Sequence, residues 1–209
     1  MEKKRIKSAW EIALERAEKL GELSPEEIRA AEEAKYTPIG QALAARYLAG
    51  LSIRDFQLFL DKYDGQARTM VEKSAALALV DALDLKEPTS ALRATQGLQA
   101  LAPELGLADK ARAAYELIGD YLRIVEEGMV SKSESMRTKA ERRLQDLGIS
   151  GSAVRVNIAR SPEWREFVEG EQSDFSSRLA PLKMELQSIL LAKPFWWFTT
   201  ENLKQRHSD

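Results

Sequence analysis

The sequence predicts an all-α protein, a head of short helices followed by a long antiparallel helical hairpin. Two apolar stripes and a series of helix start and stop signals carry that expectation. The first stripe reads Leu107, Ala111, Ala114, Ile118, Leu122, Val125, Met129, Ser133, Met136, Ala140, Leu144, Leu147, in repeating steps of four, three and four. The second reads Trp164, Val168, Glu171, Phe175, Leu179, Leu182, Leu186, Leu190, Lys193 in the same steps. An eleven-residue period places 3.67 residues in each turn, which suits a straight or slightly right-handed pair of helices. A helix spanning the first stripe is about 60 Å long.

The elements preceding the stripes follow from capping chemistry. Ile6, Trp10, Ala13, Ala17 and Leu20 recur at helical spacing, and Gly21 suits the position after a helix end, so a first helix is expected over 3–20. Ser24 can cap the next helix, Pro25 suits its first turn and Glu27 completes a capping box, with Leu23 and Ile28 as a hydrophobic staple. That helix is expected to reach Tyr36, and Thr37-Pro38 to open a third that ends near Gly50. Ser52 with Asp55 opens a fourth, stapled by Leu51 and Phe56. Asp64-Gly65 marks a break, 66–85 a further helix with Met70, Val71, Ala75, Leu79 and Leu83 inward, Pro88-Thr89-Ser90 a loop, and 91–102 the last helix of the head. Pro103 and Gly106 interrupt the chain there.

The expected organisation is therefore a helical head over 1–105, the hairpin over 106–193 with its loop at 148–161, and an aromatic then polar tail over 194–209. Gly119 and Gly128 lie inside the first long helix, where each costs about 1 kcal/mol relative to Ala, so they mark a bend or a close helix crossing. Ser161-Pro162 caps the second long helix, and Pro181 inside it is expected to kink it. Val154, Val156 and Ile158 alternate with polar residues. An extended loop explains them better than a lone strand, which would need a symmetric partner for its backbone groups.

Composition narrows the chemistry. The 209 residues include no cysteine, which removes disulfides, thiol nucleophiles and zinc–cysteine or iron–sulfur ligation. A reducing cytoplasm is the simplest setting. The one histidine, His207, stands two residues from the end, a poor place for a base or a metal ligand. No cofactor is expected. A formal charge of −2 gives no global attraction to nucleic acid or anionic lipid, and no apolar run reaches the ~20 residues of a membrane span.

Two stretches resemble an uncharacterised family of bacterial helical proteins: 8–21 (Ser-Ala-Trp-Glu-Ile-Ala-Leu-Glu-Arg-Ala-Glu-Lys-Leu-Gly) with Ser24-Pro25-Glu26-Glu27, and 147–154 (Leu-Gly-Ile-Ser-Gly-Ser-Ala-Val) with Pro162-Glu163-Trp164. The resemblance implies a bacterial, cytoplasmic setting. It carries over no catalytic residue, since that family has no assigned activity.

Three local features are candidate sites. Gly148, Ser150, Gly151 and Ser152, with Arg155, could cradle an anion, although Gly148 also sits where a helix-stopping glycine belongs and no P-loop signature is present. Gly50-Leu51-Ser52 resembles the turn of a helix-turn-helix, which would aim Arg54 and Gln57 at DNA; Arg46 in place of a small residue, and Asp55 and Asp61, count against it. Phe195, Trp196, Trp197 and Phe198 form a dense aromatic run suited to docking a partner or packing back on the chain. The basic run 132–143 and the acidic pairs Glu26-Glu27, Glu32-Glu33 and Glu126-Glu127 read as solvated helix faces. The expectation is a non-catalytic interaction or scaffold protein, partnered by itself as a homodimer or by another protein. A DNA-binding regulator or an anion-binding protein is the alternative.

Overall fold

The structure is a computed structural model that describes residues 25–149 and 155–192. The expected helix over 3–20, the Ser24 cap, Ser150 to Val154 and the aromatic tail lie outside the described residues. Among those described there are six α-helices and no strand: α1 Pro25–Leu48, α2 Ile53–Leu60, α3 Gly65–Asp81, α4 Pro88–Leu105, α5 Ala108–Asp146 and α6 Pro162–Ala192, with a 3-10 turn at Ile158–Arg160. None of the described helices is long and apolar enough to cross a membrane.

At three prolines the helix boundaries differ from those that the sequence predicts. Residues 25–48 form one helix rather than two, because the chain continues through Pro38. α6 continues through Pro181, where the sequence predicts a kink and not a stop. Both rings lie on exposed faces, where water can take the carbonyl that each leaves without its helical donor. Pro88-Thr89-Ser90 is the first turn of α4 rather than a loop, and α4 extends past Pro103 to Leu105. A proline in a first turn forfeits no helical hydrogen bond.

The capping signals fall where chemistry places them. Ser52 Oγ accepts from the Asp55 N–H at 3.1 Å, and its hydroxyl donates to the Asp55 carboxylate at 2.7 Å. Ser161 Oγ accepts from the Trp164 N–H at 3.1 Å to start α6. The end of α5 closes on Gly148, whose φ of 76° is the left-handed conformation that glycine adopts without strain. There the Ile149 N–H reaches Leu144 O at 2.8 Å and the Gly148 N–H reaches Gln145 O at 2.9 Å. This double bond pattern satisfies two of the terminal carbonyls.

α3 is the central helix. It packs against α1, α4 and α6, so Thr69 to Ala76 are all buried, whichever way they point. Its polar side chains are satisfied locally: Ser74 Oγ donates to Met70 O at 2.8 Å, and Glu72 Oε1 accepts from Arg68 Nε at 2.7 Å. One continuous core joins α3 to α1, α2, α4, the first half of α5 and the second half of α6. It includes Leu107, Ala111, Ala114 and Ile118 from the first stripe and Phe175, Leu179, Leu186 and Leu190 from the second. Each large aliphatic fully buried there contributes about 1.5–3 kcal/mol.

α5 and α6 run in opposite directions. Lys110 pairs with Glu185, the Tyr121 and Phe175 rings lie 5.7 Å apart, and Arg143 faces Glu163 at 3.7 Å. Beyond Val125 the two helices leave the central core and form an arm. There they bury Met136, Ala140 and Trp164 against each other and the 3-10 turn. The Phe167 ring lies directly over Gly128, so the close crossing expected at that glycine is present, whereas Gly119 has open space beside it.

Candidate functional site

The turn between α1 and α2 is built by a residue that sequence patterning did not single out. Arg93 of α4 donates from Nε to Tyr47 O at 2.6 Å and from Nη2 to Leu51 O at 2.5 Å, and its guanidinium lies 4.8 Å from the Tyr47 ring centre. It therefore closes the end of α1 and fixes the chain entering α2. Burial pushes the Tyr47 phenol above its ordinary pKa, and the nearby Arg93 charge pulls partly back. On α2, Phe56 and Leu60 point inward while Arg54 and Gln57 are exposed. α1 packs chiefly on α3 rather than on α2, and Asp55 and Asp61 share the outer surface of α2 with Arg54.

The Gly148 loop offers less to an anion than its composition promised. The Gly148 and Ile149 N–H groups are turned back to close α5. Arg155 is exposed, as are Arg142 and Arg160, but Ser150, Gly151 and Ser152 lie outside the described residues. Phe195, Trp196, Trp197 and Phe198 lie outside them too.

An open groove of about 520 Å³ runs between α4 and α5, lined by Gln96, Gln99, Ala108, Arg112, Tyr115 and Glu116. Arg112 Nε is bonded to Glu116 Oε1 at 2.9 Å, so its two charges are spent on each other at an exposed rim. Nothing in the spacing of these surface residues flagged the groove, because it arises only when α5 folds back on α4. Among the described residues no three His, Asp or Glu side chains converge as a metal site would require.

Lys73 on α3 is buried, and that burial lowers its pKa from 10.5, opposed by the charge of Glu33. The folded chain thus releases this proton before the unfolded chain does. Unfolding takes up a proton in the window below 10.5, so this lysine makes stability rise with pH there. Urea titrations from about pH 7 to 10.5 should show wild type gaining stability relative to Lys73→Met as pH climbs. A difference between the two that stays constant with pH would refute this reading.

The remaining feature is exposed aliphatic surface on α5 and α6. Val130 is 76 % exposed, Leu147 69 %, Met184 70 % and Leu191 67 %. These residues lie off the two stripes or at their ends, so the eleven-residue pattern did not mark them as a surface. Comparison of the chain with protein-family models, with curated proteins and with solved structures finds no match in any of the three.

Proposed function

We propose that the chain is a non-catalytic interaction or scaffold protein that docks another protein, or a second copy of itself, along α5 and α6. The observation carrying this reading is the set of large aliphatic side chains left outside the core on those helices: Val130, Met184 and Leu191. The stripes that looked in need of a partner find much of their cover inside the chain, since α4 and α3 take the halves nearest the core. What stays exposed is aliphatic area at separate points along a stiff support, and burying any of it on a partner is favourable at roughly 25 cal/mol per Å². The DNA-binding reading through Arg54 and Gln57 is weaker: the carboxylates beside them oppose phosphate, and α2 has only eight residues.

The test is photo-cross-linking in cells of the natural source, with a benzophenone amino acid at Val130, at Met184 or at exposed Arg46 as the control position. A discrete adduct from the first two positions and none from the third is the expected result. Identical background labelling at all three would remove the docking surface.

A further inference from the structure

The free end of the α5–α6 arm concentrates cations that the rest of the fold does not neutralise. Lys139 and Arg142 near the end of α5, Arg155, Arg160 on the 3-10 turn and Arg165 in the first turns of α6 are all exposed. None of them makes an ion pair among the described residues. Elsewhere Arg68, Arg112, Arg123, Arg137 and Arg178 are each paired with a carboxylate on their own or a neighbouring helix. Arg143 at the same end is engaged by Glu163, whose other oxygen is buried. The exposed carboxylates there, Glu141, Asp146 and Glu166, are outnumbered by the cations. Projecting among them are Leu147, 69 % exposed, and Ile149, 49 % exposed, one on each side of the Gly148 stop.

From this juxtaposition we infer that the end of the arm docks on an anionic lipid surface, with Leu147 and Ile149 entering the interface and Arg142, Arg155 and Arg160 among the headgroups. The inference goes beyond the protein-docking reading and does not depend on it. Three observations favour lipid over other polyanions. The aliphatics flank the stop that ends α5, and a deformable interface can close round them without a preformed groove. They give no stacking surface, which single-stranded nucleic acid would use. The cations come from α5, the turn and α6 together, as suits a plane of headgroups. The overall charge of −2 hides this patch, because the acidic residues lie mostly elsewhere. Each basic side chain held near an anionic leaflet multiplies partition roughly fivefold. Short aliphatics and charge act together where neither alone gives stable binding.

The experiment is sedimentation of the full chain with vesicles of phosphatidylcholine alone or with 30 % phosphatidylserine, at low and high salt. Binding to the anionic vesicles alone, lost at high salt, is expected. The triple variant Arg142→Glu, Arg155→Glu, Arg160→Glu should bind about a hundredfold less or weaker. Leu147→Ser with Ile149→Ser should bind about tenfold less, with unchanged circular dichroism in both variants. Equal binding to neutral vesicles, or no binding to anionic vesicles at low salt, would overturn the inference. So would binding that survives the triple reversal and disappears in Trp196→Ala with Trp197→Ala, since that assigns it to the tail. Binding to poly-glutamate in place of vesicles would overturn it in favour of an acidic protein partner. The cross-links at Val130 and Met184 report on protein docking separately, so either reading can fail alone.

Discussion

Gly40→Ala should destabilise the protein by about 3 kcal/mol or more, read as a lower urea midpoint with little change in slope. In most exposed helix interiors the same change is stabilising, because alanine is the better helix former by about 1 kcal/mol. Here α1 crosses α3 so closely that a Cβ on Gly40 would sit 1.9 Å from Ser74 Oγ, 2.4 Å from Val71 O and 2.8 Å from Ala75 N. Two of those three atoms are backbone of the central helix, which is packed on its other sides by α4 and α6 and has nowhere to retreat. The helices must separate, and that opens the most extensive helix contact among the described residues. The double variant Gly40→Ala, Ser74→Ala sharpens the argument. It removes the nearest atom and leaves both backbone clashes, so it should recover less than about 1 kcal/mol. Gly119→Ala and Gly170→Ala serve as controls, since a Cβ at either position meets nothing within 4 Å. Each should gain about 0.5–1 kcal/mol. A Gly40→Ala protein as stable as the wild type would mean that α1 and α3 are not held at this distance.

The contrast between Gly40 and Gly119 also shows what could be read from the sequence. Periodicity and capping are local properties, so α5, α6, the Ser52 and Ser161 caps and the Gly148 stop were legible from residue order. Tertiary approach is not local: nothing near Gly40 announces that Ser74 lies beside it. Proline misled for a related reason. It forbids one hydrogen bond, and whether the helix ends depends on whether water can reach the orphaned carbonyl, as it can at Pro38. The inward face of α3 was legible through Met70, Val71, Ala75 and Leu79, with Leu83 just past its end, all buried, but the burial of Glu72 and Lys73 was not. A helix covered on several sides has no polar face: Glu72 meets Arg68 one turn back on α3, while the charge of Glu33 on α1 acts on Lys73. The candidate sites were least legible. The arm end combines residues from α5, the 3-10 turn and α6, and its character depends on which cations find carboxylates, which only the fold decides. The role of Arg93, more than forty residues from the carbonyls it holds, lies beyond any motif.

Phe56→Ala should cost about 3–5 kcal/mol, close to the largest loss that a single core truncation produces. α2 has eight residues, too few to hold a helix in water unaided, so its stability must come from what it buries. Only Phe56 and Leu60 are buried on it, whereas Ile53 and Leu58 are exposed. The Phe56 ring is fully covered and lies 5.0 Å from the Tyr47 ring, centre to centre. Tyr47 in turn carries the Arg93 guanidinium on its face and presents its carbonyl to the same group. Truncation therefore leaves a cavity beneath the α1–α2 turn and loosens the aromatic support of the arginine that closes it. Hydrogen exchange should accelerate first across 49–62, and the whole-domain urea midpoint should fall with it, because Phe56 belongs to the continuous core and not to a satellite cluster. Leu58→Ala, on the same helix but exposed, should stay within about 0.5 kcal/mol of wild type. If Phe56→Ala instead lost less than about 1 kcal/mol globally while 49–62 exchanged freely, α2 would be an appendage to the bundle. Arg54 and Gln57 would then have no rigid platform from which to meet any ligand.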